Sequence, residues 1–210
     1  MIFIGDVHGK YERYKRIMDH CSDSIQVGDM GVGFRRIQSG YGHPNEFYPN
    51  PPHYAMLRGK HRFIRGNHDN PTECKKHSQW IPDGHVEGNM MFVGGAVSID
   101  REFRYKDYDW WEDEELSQKE LDKLVEKYCE VRPEIMVTHD CPEELAKSME
   151  AMFCRGKINI PSRTRIALQR MWSAHQPRVW VYGHWHHSFD HVVNGTRFVC
   201  LAELEAKEID

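Results

Sequence analysis

The sequence opens with Met1-Ile-Phe-Ile-Gly-Asp-Val-His-Gly9, and this stretch decides the fold. Residues 2–4 are consecutive apolar residues, which predict a short buried strand. The chain then breaks at Gly5 and presents a carboxylate and an imidazole two residues apart, at Asp6 and His8. These are typical metal ligands, but one such pair in a chain with 14 histidines is weak evidence on its own.

The same layout, an apolar run followed by metal-binding side chains, recurs four more times, at residues 24–31, 63–70, 135–140 and 179–187. These blocks deliver Asp29, Asn67, His68, Asp69, His139, His184 and His186. Open α/β sheets place their ligands at the carboxyl ends of the strands, so we expect the five strand ends to converge. The sequence therefore predicts an α/β protein with one site that has enough ligands for two metal ions.

The order Asp-x-His, Gly-Asp, Gly-Asn-His-Asp, His and Gly-His-x-His resembles the calcineurin-like metallophosphoesterases over residues 1 to about 200. The resemblance implies a four-layer α/β/β/α sandwich with two central mixed sheets and a dinuclear metal site at the carboxyl ends of the strands. It also implies hydrolysis of a phosphomonoester or phosphodiester by a metal-bound hydroxide. At 210 residues, we expect one domain spanning residues 1–210.

The resemblance also assigns the metal ligands. It gives Asp6, His8 and His186 to the first ion, and Asn67, His139 and His184 to the second. Asp29 is best suited to bridge the two ions, because a carboxylate has two oxygens to share. Mixed imidazole and carboxylate ligation suits Mn, Fe, Zn or Ni, and manganese is our first choice for both ions.

Three residues of the 63–70 block are expected to act in catalysis. In the family, the histidine at the position of His68 is not a ligand and donates a proton to the leaving oxygen. The adjacent acid, here Asp69, is expected to hold and polarise its ring. Arg65 stands two residues before Asn67, so we expect its guanidinium at the mouth of the site, where it would clamp two phosphate oxygens.

One block departs from the protein-phosphatase branch of the family. That branch continues as Gly-Asp-x-x-Asp-Arg-Gly, whereas this chain has Gly28-Asp-Met-Gly-Val-Gly-Phe34, with Arg35 or Arg36 as replacements for the arginine. We therefore expect a phosphatase or phosphodiesterase for a small, nucleotide-like or other phosphoester, with a Ser/Thr protein phosphatase as the alternative. An inactive protein-binding scaffold would show eroded ligands, and a metal store has no use for His68 and Asp69.

Composition limits the partners. A net charge of −4 and a pI near 6.4 give no global basic field, so we expect no stable nucleic-acid partner. The sequence shows no signal peptide and no apolar run near 18 residues, which predicts a soluble, cytoplasmic protein without a membrane partner. Six cysteines without a C-x-x-C pair predict reduced thiols. The physiological substrate and the oligomeric state stay open.

Local signals outside the five blocks predict further elements. Ser117 and Glu120 form a capping box at the start of a helix, and Asn194-Gly195 predicts a hairpin with a type I′ turn. The loop at residues 39–52 is expected beside the site as a candidate for substrate selection. The aromatic stretch at residues 100–115 is expected to pack on the core, with an interaction surface as the alternative. The basic residues after His139 predict surface charges or a phosphate-facing lid, and they are Arg155, Lys157, Arg163 and Arg165.

Overall fold

The computed structural model describes residues 1–35, 58–153 and 160–210. Its strands are β1 (Ile2–Ile4), β2 (Asp23–Gln26), β3 (Lys60–Phe63), β4 (Val86–Glu87), β5 (Met90–Val93), β6 (Ile135–Thr138), β7 (Val179–Tyr182), β8 (Phe189–Val193), β9 (Thr196–Cys200) and β10 (Ala206–Glu208). Its helices are α1 (Tyr11–Met18), α2 (Pro71–Cys74), α3 (Gln118–Val131), α4 (Glu143–Phe153) and α5 (Arg163–Ala174), with a 3-10 turn at Arg101–Phe103. The predictions for Arg36, residues 39–52, Arg155 and Lys157 fall outside the described residues.

The strands form two mixed sheets. The first has the order β10-β1-β2-β3, in which β1, β2 and β3 are parallel and β10 is antiparallel to β1. The second has the order β4-β5-β6-β7-β9-β8, with β5, β6, β7 and β9 parallel and an antiparallel strand at each edge. The predicted α/β fold with two mixed sheets is confirmed.

Alternating side chains build three hydrophobic clusters. Phe3 faces the cluster between the two sheets, and its neighbour Ile4 faces the cluster under α1. In β7, Val181 likewise faces the cluster between the sheets, while Trp180 faces the helices α3, α4 and α5. Both faces of each central strand are therefore buried, which explains why the strands read as continuous apolar runs. The layers follow in the order helix, sheet, sheet, helix.

Two local signals are confirmed. The Ser117 hydroxyl accepts the backbone N–H of Glu120 at 3.4 Å, and the Glu120 carboxylate accepts the backbone N–H of Ser117 at 2.9 Å, so the capping box starts α3. The hairpin joins β8 to β9 through Asn194 and Gly195, whose φ angles of 47° and 84° suit a type I′ turn.

The aromatic stretch between residues 100 and 115 packs on the core less than predicted. Trp111 is buried and Trp110 is half-buried, but Tyr105 and Tyr108 are exposed. The prediction that these aromatic side chains pack on the core therefore holds for Trp111 and partly for Trp110. Within the described ranges, no helix has the length and apolar character needed to cross a lipid bilayer.

Candidate metal centre

The five ligand blocks converge between the two sheets. Asp6 and His8 follow β1, Asp29 follows β2 and Asn67 follows β3, all in the first sheet. The remaining predicted ligands lie in the second sheet: His139 follows β6, and His184 and His186 follow β7. The site thus lies where the carboxyl ends of strands from both sheets meet. The apolar pattern of the sequence does not show which strands belong to which sheet.

A first cluster is formed by Asp6, His8, Asp29 and His186, whose ligand atoms all lie within 4.8 Å of one another. His8 Nε2 lies 2.9 Å from His186 Nε2, 3.9 Å from Asp6 Oδ2 and 3.7 Å from Asp29 Oδ2. His186 Nε2 lies 3.1 Å from Asp6 Oδ2. Ligands at about 2.0 to 2.2 Å from one cation lie roughly this far apart, so this cluster could hold a metal ion.

A second cluster shares Asp29 with the first. The ligand atoms of Asp29, His139 and His184 lie within 4.8 Å of one another. His139 Nε2 lies 3.3 Å from Asp29 Oδ1 and 3.2 Å from Asn67 Oδ1. Asp29 therefore turns Oδ2 toward His8 in one cluster and Oδ1 toward His139 in the other.

The hydrogen bonds around the second cluster leave its acceptors facing each other. His139 Nδ1 lies 2.8 Å from the carbonyl oxygen of Val27, so Nδ1 carries a proton and Nε2 can offer a lone pair. The atoms nearest that Nε2 are oxygens of Asp29 and Asn67, which also carry lone pairs. Such a group of atoms needs a cation in its centre, either a metal ion or an extra proton, so the residues present fit a metal site.

The protonation states of His139 and Asp29 supply the positive charge that this group of acceptors requires. Burial works against protonation of His139, but the adjacent Asp29 carboxylate outweighs it and raises the pKa of His139 to about 10. Burial also works against ionisation of Asp29, yet the protonated imidazole of His139 keeps the pKa of Asp29 well below the usual range. At neutral pH the free protein therefore pairs an ionised Asp29 with a protonated His139.

The backbone is strained at four of the candidate ligands. His8, Asp29, His184 and His186 have φ angles of 47°, 57°, 68° and 55°, in the left-handed region that side chains other than glycine rarely adopt. Close approach adds a further constraint, because a Cβ atom on Gly66 would lie 2.1 Å from Asp29 Oδ1. Strained backbone of this kind concentrates at functional sites.

Comparison with protein families agrees with this geometry. The family model described as calcineurin-like phosphoesterase matches residues 1–188. The chain belongs to the calcineurin-like phosphoesterase family. Among solved structures, GAP50, the anchor in the inner membrane complex of Plasmodium, is similar to this chain: the identity is 9%, the match covers 96% of this chain and 71% of that one, and the TM-score is 0.47. Comparison with curated proteins finds no match.

In this calcineurin-like phosphoesterase, His68 adjoins the first cluster and lines the cavity beside the site. Its ring meets His8 edge to face with centroids 4.7 Å apart, and it stacks on Phe34 at 4.8 Å. Arg104 Nη2 donates to His68 Nε2 at 2.8 Å. A guanidinium can only donate, so His68 carries its proton on Nδ1. Burial, opposed by Asp29 and reinforced by Arg104, lowers the pKa of His68 well below its usual range, so the ring is neutral.

Asp69 does not hold the His68 ring, which corrects the prediction for this residue. Its Oδ1 accepts the backbone N–H groups of Gly31 at 2.7 Å and Val32 at 2.8 Å. Its Oδ2 accepts those of Met30 at 3.1 Å and Gly66 at 2.8 Å. In the part of the chain that the structure describes, His68 Nδ1 has no hydrogen-bond partner. Asp69 therefore ties together the two loops that carry Asp29 and Asn67.

The Arg65 guanidinium does not lie at the mouth of the site, where it was expected. It is 2% exposed and does not line the cavity beside the site. Its Nε donates to Asp83 Oδ2 at 2.8 Å, and its Nη1 donates to the carbonyl oxygens of Asp113 at 3.0 Å and Glu114 at 2.8 Å. The predicted position at the mouth of the site is wrong, because Asp83 draws the guanidinium into the protein interior.

Removing this buried ion pair should destabilise the fold. We expect Arg65→Met to lower the free energy of unfolding by about 3 kcal/mol or more, since Asp83 and two carbonyls lose their donor. Arg62→Met is the matched control, because Arg62 pairs with Glu87 in a partly exposed position. Loss of such a pair should lower the free energy of unfolding by about 1 kcal/mol or less. Urea denaturation measures both, and equal losses would contradict the structural role of Arg65.

The cavity beside the clusters has a volume of about 360 Å³. Besides the candidate ligands, the cavity is lined by the guanidinium groups of Arg104, which pairs with Asp100 at 2.7 Å, and Arg165, which pairs with Asp140 and Glu150. Ile99 and Trp185 give it apolar surface. Arg165 donates from Nε to Asp140 Oδ2 at 2.7 Å, and its guanidinium lies 5.0 Å from the Trp185 ring centroid. Arg165 belongs to the basic residues predicted as surface charges or a lid, whereas Arg104 lies in a stretch without a periodic pattern that would single it out.

Metal binding at the second cluster should depend on pH. Below about pH 10 the proton on His139 Nε2 occupies the atom that would bind the ion, so the ion must displace it. The apparent affinity for Mn²⁺ should therefore rise with pH, by about tenfold per unit between pH 6 and 8. Calorimetric titrations across this range, in buffers of different ionisation enthalpy, would reveal the released proton. An affinity that stays constant with pH would contradict this assignment.

Proposed function

We propose that this protein is a phosphoesterase that uses two divalent cations to hydrolyse a small phosphoester. The observation that carries the proposal is Asp29, whose two carboxylate oxygens face two separate ligand clusters. Asp6, His8 and His186 would hold one cation, and Asn67, His139 and His184 the other. When bound, such cations ionise a water near neutral pH and neutralise the charge that grows on phosphoryl oxygens. Manganese is the first choice, with Fe, Zn and Ni as alternatives.

His68 is the proposed proton donor to the leaving oxygen. Its place at the cavity wall beside both Asp29 and Arg104 supports this role. The ring is neutral in the free protein, so the acid must form when the negatively charged substrate enters. A phosphate anion near the ring favours its protonated form, and it also offers Arg104 a stronger partner than the imidazole nitrogen.

The cavity supports a small substrate. Arg104 and Arg165 provide guanidinium donors for a phosphate, which would compete with their partners Asp100, Asp140 and Glu150. Trp185 and Ile99 provide apolar contact for an ester group. The buried position of Arg65 argues against the Ser/Thr protein phosphatase alternative, which relies on an arginine at this place in its motif. A nucleotide-like ester, with a phosphate and a flat base, suits this combination of charge and apolar surface.

A substrate panel tests the proposal. The protein is stripped of metal with a chelator, reloaded with Mn, Ni, Zn or Mg, and assayed on bis-p-nitrophenyl phosphate, p-nitrophenyl phosphate, 2′,3′-cyclic nucleotides and a phosphopeptide. We expect turnover that depends on the metal and favours the small esters over the phosphopeptide. Bound metal without turnover of any ester would support the inactive scaffold instead. Preference for the phosphopeptide would restore the protein phosphatase alternative.

A further inference from the structure

A hydrogen-bonded pair, Ser98 and Glu114, lies behind the second cluster and has no part in the proposed chemistry. Both side chains are buried. The Ser98 backbone N–H donates to Glu114 Oε1 at 3.0 Å, and the Ser98 hydroxyl donates to Glu114 Oε2. A hydroxyl has one proton to donate. The Glu114 carboxylate therefore takes the only proton that the Ser98 hydroxyl can offer.

Ser98 Oγ meets its other neighbours as an acceptor. Asn67 Nδ2 donates to it at 3.1 Å, and Arg104 Nη1 donates to it at 3.2 Å. One donated and two accepted hydrogen bonds use the full capacity of a hydroxyl. Ser98 can therefore bind the NH₂ end of the Asn67 side chain, and it has no proton left for the carbonyl end.

This arrangement decides which end of the Asn67 carboxamide reaches the second cluster. Its Oδ1 lies 3.2 Å from His139 Nε2. A rotated amide would present NH₂ there, and this group has no lone pair for a cation, whereas the carbonyl oxygen is an ordinary ligand. The position of one proton in the Ser98–Glu114 pair thus favours the amide orientation in which Asn67 can bind metal.

We infer that Ser98 and Glu114 are positioning residues that hold Asn67 Oδ1 toward the cation and thereby set the affinity of the second cluster. The inference rests on the proposed function, because it takes both clusters to bind metal. Groups that orient a metal ligand typically change metal affinity by about 10- to 100-fold when they are removed. Arg65 supports the pair from behind, since its Nη1 donates to the carbonyl oxygen of Glu114 at 2.8 Å.

Glu114→Gln is the sharpest test, because it keeps the shape of the side chain and reverses the hydrogen bond. The glutamine NH₂ can donate to Ser98, which is then free to donate to Asn67 Oδ1 and rotate the amide. In calorimetric titrations of metal-free protein with Mn²⁺, we expect the Kd of one site to rise about 10- to 100-fold while the other stays unchanged. The electron paramagnetic resonance signal of a coupled Mn²⁺ pair should weaken in parallel.

Glu115→Gln is the matched control. Glu115 is the next residue and is also buried, but it accepts from the Ser162 hydroxyl at 2.6 Å and the Thr164 backbone N–H at 2.9 Å. Its replacement should leave both Mn²⁺ sites unchanged. Repeating the titration in a His186→Ala background, which breaks the first cluster, assigns the weakened site: the single remaining site must weaken with Glu114→Gln.

A second pair of variants tests the role of Ser98 in metal affinity if Glu114→Gln does not fold. Ser98→Ala should weaken the second site, and Ser98→Thr, which keeps the hydroxyl, should restore it. Unchanged affinity in both Glu114→Gln and Ser98→Ala, or equal weakening of both sites, would overturn the inference. These results differ from a failure of the proposed function, in which the unmodified protein itself would bind fewer than two Mn²⁺ ions.

Discussion

Asp29→Asn should reduce metal-dependent phosphoester hydrolysis by roughly 10³-fold, or about 4 kcal/mol in the barrier. Asparagine keeps one oxygen, which can still accept the His68 backbone N–H that Asp29 Oδ1 now accepts at 2.7 Å. It replaces the other oxygen with an NH₂ group that cannot bind a cation. The fold should survive, but one side chain can no longer serve both clusters.

The measurement compares kcat/KM on bis-p-nitrophenyl phosphate with the metal content of the same preparations. Asp190→Asn is the matched control, because Asp190 pairs with Arg197 and Lys207 and belongs to neither cluster. We expect this control to match the unmodified protein in both readouts. An Asp29→Asn variant with two bound ions and full activity would show that Asp29 does not bridge the clusters.

His68→Asn should produce a loss that depends on the leaving group. Esters of alcohols need a proton on the departing oxygen, so their hydrolysis should fall by about 10²- to 10⁴-fold. The p-nitrophenolate ion leaves without that proton, so p-nitrophenyl esters should lose less than about tenfold. Metal content should be unchanged, because His68 belongs to neither ligand cluster.

The comparison needs two esters that differ only in the leaving group, assayed at the same Mn²⁺ concentration. His187→Ala serves as the control, because this neighbouring histidine is exposed, stacks on Phe153 at 3.8 Å and lies outside both clusters. Equal losses for both esters in His68→Asn, or loss of bound metal, would reject the role of His68 as proton donor.

The side chains that meet in the two clusters could be predicted from the sequence because local patterns carry them. Each ligand follows an apolar strand within a few residues, and strand ends in such sheets meet. The pairing of β10 with β1 has no such local signal, since it joins opposite ends of the described chain. The division of the strands between two sheets likewise came from the resemblance and not from their periodicity.

The roles of Arg65 and Asp69 were mispredicted for a common physical reason. A position next to a candidate ligand in the sequence does not determine where a side chain points. Both charged side chains form their hydrogen bonds away from the predicted partners. Arg65 donates to Asp83, and the backbone N–H groups of Met30 to Val32 donate to the Asp69 carboxylate. Both partners lie in other segments, so only the folded chain reveals them. Arg104 was missed because its importance comes from contact with His68, 36 residues away in sequence.

The left-handed backbone at His8, Asp29, His184 and His186 lowers the stability of the folded chain at the positions that carry candidate ligands. An L-residue in this conformation costs roughly 1 to 2 kcal/mol compared with its relaxed state, and glycine escapes most of that cost. At His186, whose side chain is half exposed, glycine would relieve this cost and would also remove a candidate ligand, so the stability of the backbone and the completeness of the site are opposed at this position.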